Sequence, residues 1–132
     1  RLMTLTEALY RHVSGVALLA KTYSVYGPVP ATTEDAAADV VVITFDGASF
    51  TSMTDSGTKD ARFTLICVSR QHLQCAELTE LLANSLHGFS GVMGGTGGVD
   101  VIDIQAEEQS EDFDGEHNVF TRSISLVISY EP

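Results

Sequence analysis

The chain has 132 residues, with 18 aspartates and glutamates against 7 lysines and arginines, for a formal charge of −11. That balance speaks against a grip on nucleic acid, which needs a clustered basic patch, and against attraction to an anionic membrane surface. The apolar fraction of 44% is that of a globular chain, the length suits a single domain over residues 1–132, and no apolar run approaches the roughly 20 residues that cross a bilayer.

The opening residues do not read as a secretory leader, since no basic cluster is followed by an apolar block. Thr4 and Glu7 have capping-box spacing. Leu9, His12, Val13, Val16 and Leu19 or Ala20 then recur at helical spacing, which predicts a helix over residues 5–20 with a weak point at Gly15. His12 falls at the edge of that stripe, and no second histidine or cysteine stands three or four residues away, so it reads as a packed or surface group rather than a metal ligand. Pro28 and Pro30 make residues 26–30 a turn and extended chain, and the small polar residues 31–38 a surface loop.

Residues 39–45 are apolar on both faces of an extended chain, as in a strand deep in a sheet. Residues 46–60 are polar, with a turn signal at Asp55-Ser56-Gly57, and predict a long hairpin arm. Phe50 and Met53 are apolar residues on that arm, and the alternatives are that they tuck back onto the domain or meet another subunit. Asp55 and Lys59 stand beside them as candidate contacts to a neighbouring subunit or another protein partner.

From Ala61 the chain alternates as a strand, with Phe63, Leu65 and Cys67 on one face. After Ser69-Arg70-Gln71 the period changes. Leu73, Ala76, Leu78, Leu81, Leu82 and Leu86 predict a helix with one greasy side, stopped at Gly88, that must land on a sheet. Six glycines within residues 88–98 are followed by neither Gly-Lys-Ser/Thr nor a helix, so the stretch reads as a flexible connector and not a phosphate loop. Residues 99–105 predict a strand. Residues 106–118 predict an acidic loop, with Glu107, Glu108, Glu111, Asp112, Asp114 and Glu116 and no base. The last segment, 119–130, alternates as a strand, with Phe120, Arg122, Ile124, Leu126, Ile128 and Tyr130 facing inward.

No constellation for chemistry emerges. On the calcium-loop pattern Gly115 takes the glycine place, but Ser110 stands first and Thr121 last, where acids belong. No serine sits in a Gly-x-Ser-x-Gly elbow, and His72 with Cys75 lacks a third group to orient the ring. The two cysteines imply neither a disulfide framework nor a zinc site. The expectation is a non-catalytic protein without cofactor or metal.

Several segments taken together resemble a known family. They are Ala8-Leu9-Tyr10 in the opening helix, Tyr26-Gly27-Pro28-Val29-Pro30, and Asp39-Val40-Val41-Val42-Ile43. The polar hairpin follows, then Val68-Ser69-Arg70 before a leucine-rich helix, and Asp112-Phe113-Asp114-Gly115 before the final strand. In order and character they are similar to the tail-completion, or tail-terminator, proteins of long-tailed bacteriophages and gene transfer agents. The resemblance implies an α+β fold, with two helices packed on one face of a mainly antiparallel sheet and a long hairpin arm. It implies a structural virion protein of the head–tail joint, made in the bacterial cytoplasm. Such a protein caps the tail tube as a homohexameric ring, ends tube polymerisation and receives the head connector. Its expected partners are copies of itself, the tail tube protein and the head–tail connector protein, with DNA passing through without tight binding.

Eight acids and no base between Asp100 and Glu116 suit a bore that repels phosphates. On that reading Glu107, Glu108, Glu111, Asp112, Asp114 and Glu116, or Asp55 and Asp60 on the arm, face the channel. The competing reading is a small acidic binding module, a DNA mimic or regulatory protein without catalysis. A mimic spreads its charge over a surface, whereas much of the charge here is bunched in one segment.

Overall fold

The computed structural model describes residues 3–17, 20–23, 39–50 and 57–132, with the backbone alone at Tyr23. The expected features at residues 26–38, and Met53 and Asp55, lie outside these. Helix α1 (Leu5–Val16) is followed by strands β1 (Ala20–Tyr23), β2 (Asp39–Phe50) and β3 (Lys59–Ser69). Helix α2 (His72–Leu86) comes next, then β4 (Gly91–Met93), β5 (Val99–Asp114) and β6 (Val119–Glu131). The strands form one sheet in the order β1-β2-β3-β6-β5-β4. β1 lies parallel to β2, and every other neighbouring pair is antiparallel. The fold is therefore α+β.

Helix α1 begins as its capping box requires, with Thr4 Oγ1 accepting a hydrogen bond from the Glu7 backbone N–H at 3.2 Å. It stops at Val16, four residues short of expectation, and Ala20 already belongs to β1. The reason lies in β2, whose Val40, Val41 and Ile43 are all buried. The backbone of so deeply buried a strand needs hydrogen-bond partners on its outer edge, and residues 20–23 pair with 39–42 to supply them.

The switch from β3 to α2 falls at Ser69–Gln71 as expected. The buried side of α2 is nevertheless rotated from the leucine stripe. Cys75, Leu78, Thr79, Leu82 and Leu86 are buried, whereas Leu73 and Leu81 are exposed. Two small polarisable or polar groups can go inside because the backbone satisfies them. Thr79 Oγ1 donates to the Cys75 carbonyl at 2.7 Å, and Cys75 Sγ donates to the Cys67 carbonyl at 3.5 Å. Burial pushes the Cys67 thiol up to about 12 and raises that of Cys75, so both stay protonated and inert.

The glycine-rich stretch is not a flexible connector. It contains β4, which pairs through residues 91–93 with 99–101 of β5, and a turn closed by the Gly98 N–H on the Gly95 carbonyl at 2.9 Å. Nor is 106–118 a loop. Residues 106–114 continue β5 in register with β6, and only residues 115–118 turn. Bulges between Val101 and Asp103, and between Glu108 and Ser110, shift the side-chain alternation, which hides this strand from a period-two reading.

Both helices cover the same side of the sheet. There Phe63, Leu65 and Cys67 of β3 and Ile124, Leu126 and Ile128 of β6 meet Leu9 and Val13 of α1 and Leu82 and Leu86 of α2. Each fully buried Leu, Ile or Phe contributes roughly 1.5–3 kcal/mol over its exposed state.

A polar contact joins the helices. His12 Nε2 lies 2.9 Å from Ser85 Oγ, and the ring meets Phe89 edge-on at 5.2 Å. Burial lowers the His12 pKa from 6.5. The unfolded chain therefore takes up this proton first as pH falls below 6.5, and stability present above that pH is lost as it drops. In urea titrations from pH 8 to 5, the wild type is expected to lose more stability than His12→Gln over the acidic half of the range. Equal pH slopes for the two proteins would show that His12 does not contribute.

Candidate assembly surfaces

The register of the sheet puts two hairpins at opposite ends. β3 pairs with β6 from Lys59 opposite Tyr130 to Ser69 opposite Phe120. The β2–β3 arm leaves the sheet at the Lys59 end, and the β5–β6 hairpin leaves it at the Phe120 end.

The arm is a real hairpin. Residues 47–50 pair with 59–62, after a bulge between Phe45 and Gly47 at which Asp46 Oδ2 accepts the Thr64 hydroxyl at 2.6 Å. Phe50 stands directly opposite Lys59, whose Nζ sits 4.9 Å from the centre of the aromatic ring. So two of the four residues expected to meet a neighbour are brought together, and Phe50 does not tuck back: it is 64% exposed. Phe45 was legible only as the end of a strand. It is 54% exposed with its ring edge against Phe63 at 5.4 Å, which extends the apolar surface of the arm.

The acidic hairpin divides its charges. Ala106, Glu108, Glu111 and Phe113 pair with Leu126, Ile124, Arg122 and Phe120, and therefore project on the helix side. Glu107, Asp112 and Asp114 pair with Ser125, Thr121 and Val119, and project on the far side, where Ser110 and Ser123 join hydroxyls at 2.9 Å. Alternation thus keeps the six acids from forming one surface.

On the helix side Arg122 bridges Glu111 at 3.3 Å and Glu108 at 3.6 Å. His72, at the start of α2, adds a contact to Glu111 at 2.5 Å. Partial desolvation draws the Glu111 carboxyl upward, but hydrogen bonds from Arg122 and His72 outweigh it and hold the pKa below its usual value. This cluster ties the hairpin to the first turn of α2, which lacks an acid of its own. A cleft of about 220 Å³ lies beside it, lined by Gln109, Ser110 and Ser123 along with these ions.

Glu116 sits in the turn. Asp114 Oδ1 accepts from the Glu116 and His117 backbone N–H groups, and Oδ2 lies 2.7 Å from His117 Nδ1. The hydrogen bond to His117 lowers the Asp114 pKa and raises that of His117. Asp114, Glu116 and His117 bring their ligand atoms within 4.8 Å of one another. All three are exposed, and the carboxylate of Asp114 is already engaged in closing the turn.

Among the described residues no helix is long and apolar enough to cross a membrane. No protein-family model and no curated protein matches the chain. A solved structure does. The fold is shared with a chain of the virion of a native gene transfer agent (GTA) particle, at a TM-score of 0.60 and 9% sequence identity. The match covers 97% of this chain and 95% of that one. Likeness at that identity is likeness of fold.

Proposed function

We propose that the chain is a structural virion protein of the head–tail joint. It caps the tail tube as a homohexameric ring, ends tail polymerisation, and presents a surface to the head connector while DNA passes through a negatively charged bore. The observation that carries this reading is the fold shared end to end with a chain of a gene transfer agent virion. The sequence resemblance to tail-completion proteins and the absence of a catalytic constellation from the sequence point the same way.

The bore reading narrows to the far side of the sheet. Glu107, Asp112 and Asp114 project there beside Ser123, Ser125 and Thr121, a carboxylate and hydroxyl surface, with Arg62 farther along the same face opposite Val127. Arg122 neutralises much of the charge of Glu108 and Glu111 on the helix side. Electron microscopy of the purified chain mixed with tail tubes tests the proposal. Sixfold rings at tube ends are the expected image. Rings whose Glu107, Asp112 and Asp114 all sit on the outer rim would overturn the bore, and tubes that keep growing uncapped would overturn the role.

A further inference from the structure

We propose that the β2–β3 arm of one copy receives the β5–β6 hairpin of the next, head to tail. The inference rests on the ring reading and names the surfaces that build it.

Two features leave the arm unfinished. β1 pairs with β2 only over residues 39–42, so from residue 43 to 50 the outer edge of β2 has no strand beside it among the described residues. On the helix side of that edge Phe45, Ala48 and Phe50 are exposed, continuous with the core through Phe63. Lys59 is the one charged side chain that pairing puts on this side of the arm among the described residues.

The hairpin has the complementary set. Phe113 is 48% exposed and projects on the same side of the sheet, with Glu108 and Glu111 along the same strand and Glu116 in the turn. Ten strand residues separate the two ends, about 33 Å at the rise of a β-strand, so one molecule cannot close the contact on itself.

Charge chooses between the ways two copies could meet. Hairpin against hairpin on the helix side would set Glu108, Glu111 and Glu116 against their own copies, and arm against arm would set Lys59 against Lys59. Arm against hairpin pairs the cation with the acids and buries aromatic rings on both sides. Such a contact is heterologous, and a heterologous contact that closes makes a ring.

The test is a cross-link between two full-length variants. Phe50→Cys and Phe113→Cys chains are mixed at millimolar concentration and mildly oxidised. The native Cys67 and Cys75 are buried and do not compete. The expected product is a dimer joined between positions 50 and 113, formed at least about tenfold faster than dimers of either variant alone. Adding Lys59→Glu slows it about tenfold, and Lys59→Arg does not. Glu116→Cys, in the exposed turn next to it, replaces Phe113→Cys if the latter fails to fold. Links between identical positions, or no link from folded chains, overturn the contact. Sixfold rings without the link would sink the contact and spare the ring. The link in open helical filaments would sink the ring and spare the contact.

Discussion

Replacing Phe63 by alanine is expected to lower the stability of the fold by about 3–5 kcal/mol, the largest loss from any single truncation in the sheet. Phe63 is 1% exposed and lies in β3, the strand between β2 and β6. Its cross-strand neighbours are Phe45 on one side and Leu126 on the other. Truncation removes the transfer energy of the ring. It also leaves a cavity that the sheet cannot close, because the main-chain ladders on both sides hold β3 in place. A domain of this size has a total stability of about 5–15 kcal/mol, so the variant should sit close to unfolding. Phe45→Ala is the contrast. Its ring is already half in water, and the expected loss is within about 1 kcal/mol. Urea titrations read both, and the slope with denaturant should stay that of the wild type if only the native state is weakened. A loss at Phe45 equal to that at Phe63 would mean that the arm, not the helix-covered centre, is the cooperative unit.

This division between a covered centre and exposed ends also decides what could be read without a structure. Strand β6 was legible because Ile124, Leu126 and Ile128 alternate with serines and a valine over a stretch free of bulges. The change from β3 to α2 was legible because the apolar period changes within three residues. At the acidic hairpin both signals fail. Residues 106–114 carry side chains of low strand propensity, and the bulge at Glu108–Ser110 breaks the alternation. What makes them a strand is the long partner β6, a tertiary cause. The same holds for β1, four residues whose strand character comes from the exposed edge of β2. In α2, leucines at positions 73 and 81 outweighed Cys75 and Thr79 in the periodicity, because their hydrogen bonds to the backbone cannot be seen in a sequence. For the candidate surfaces, Phe50 and Lys59 were legible as an exposed pair on an arm. The six acids were legible as a cluster but not as two faces, since that division depends on where the bulge falls.

Gly98→Ala is expected to cost at least about 3 kcal/mol, and to loosen α1 as well as the turn that it changes. A Cβ at position 98 would fall on the carbonyl oxygen of Met93 and lie 2.8 Å from that of Gly95. Both obstacles are backbone, so no rotamer change relieves them, and the turn between β4 and β5 must open. Its opening breaks the Gly98 N–H bond to Gly95 and the three-residue pairing of β4 with β5. Met93, 1% exposed, then loses its place in the core. The effect passes to α1 through Gly94, whose α-carbon lies so close to the helix that an added Cβ would sit 3.0 Å from Ala8 Cα and 2.6 Å from Met3 Sδ. Glycine at position 94, with φ +93°, lets the turn press against the first turns of α1. Gly95→Ala is the control. Gly95 has φ +82° but open space around it, so it should lose only about 1–2 kcal/mol, the cost of a side chain in the left-handed region. Thermal unfolding measures the difference, and amide exchange locates it. In Gly98→Ala, faster exchange is expected at residues 91–93 and 99–101 and in α1, with the β3–β6 ladder still protected. Exchange confined to the turn would mean that α1 is held by the sheet alone. A variant as stable as Gly95→Ala would mean that the glycine-rich segment is the slack connector its composition suggests.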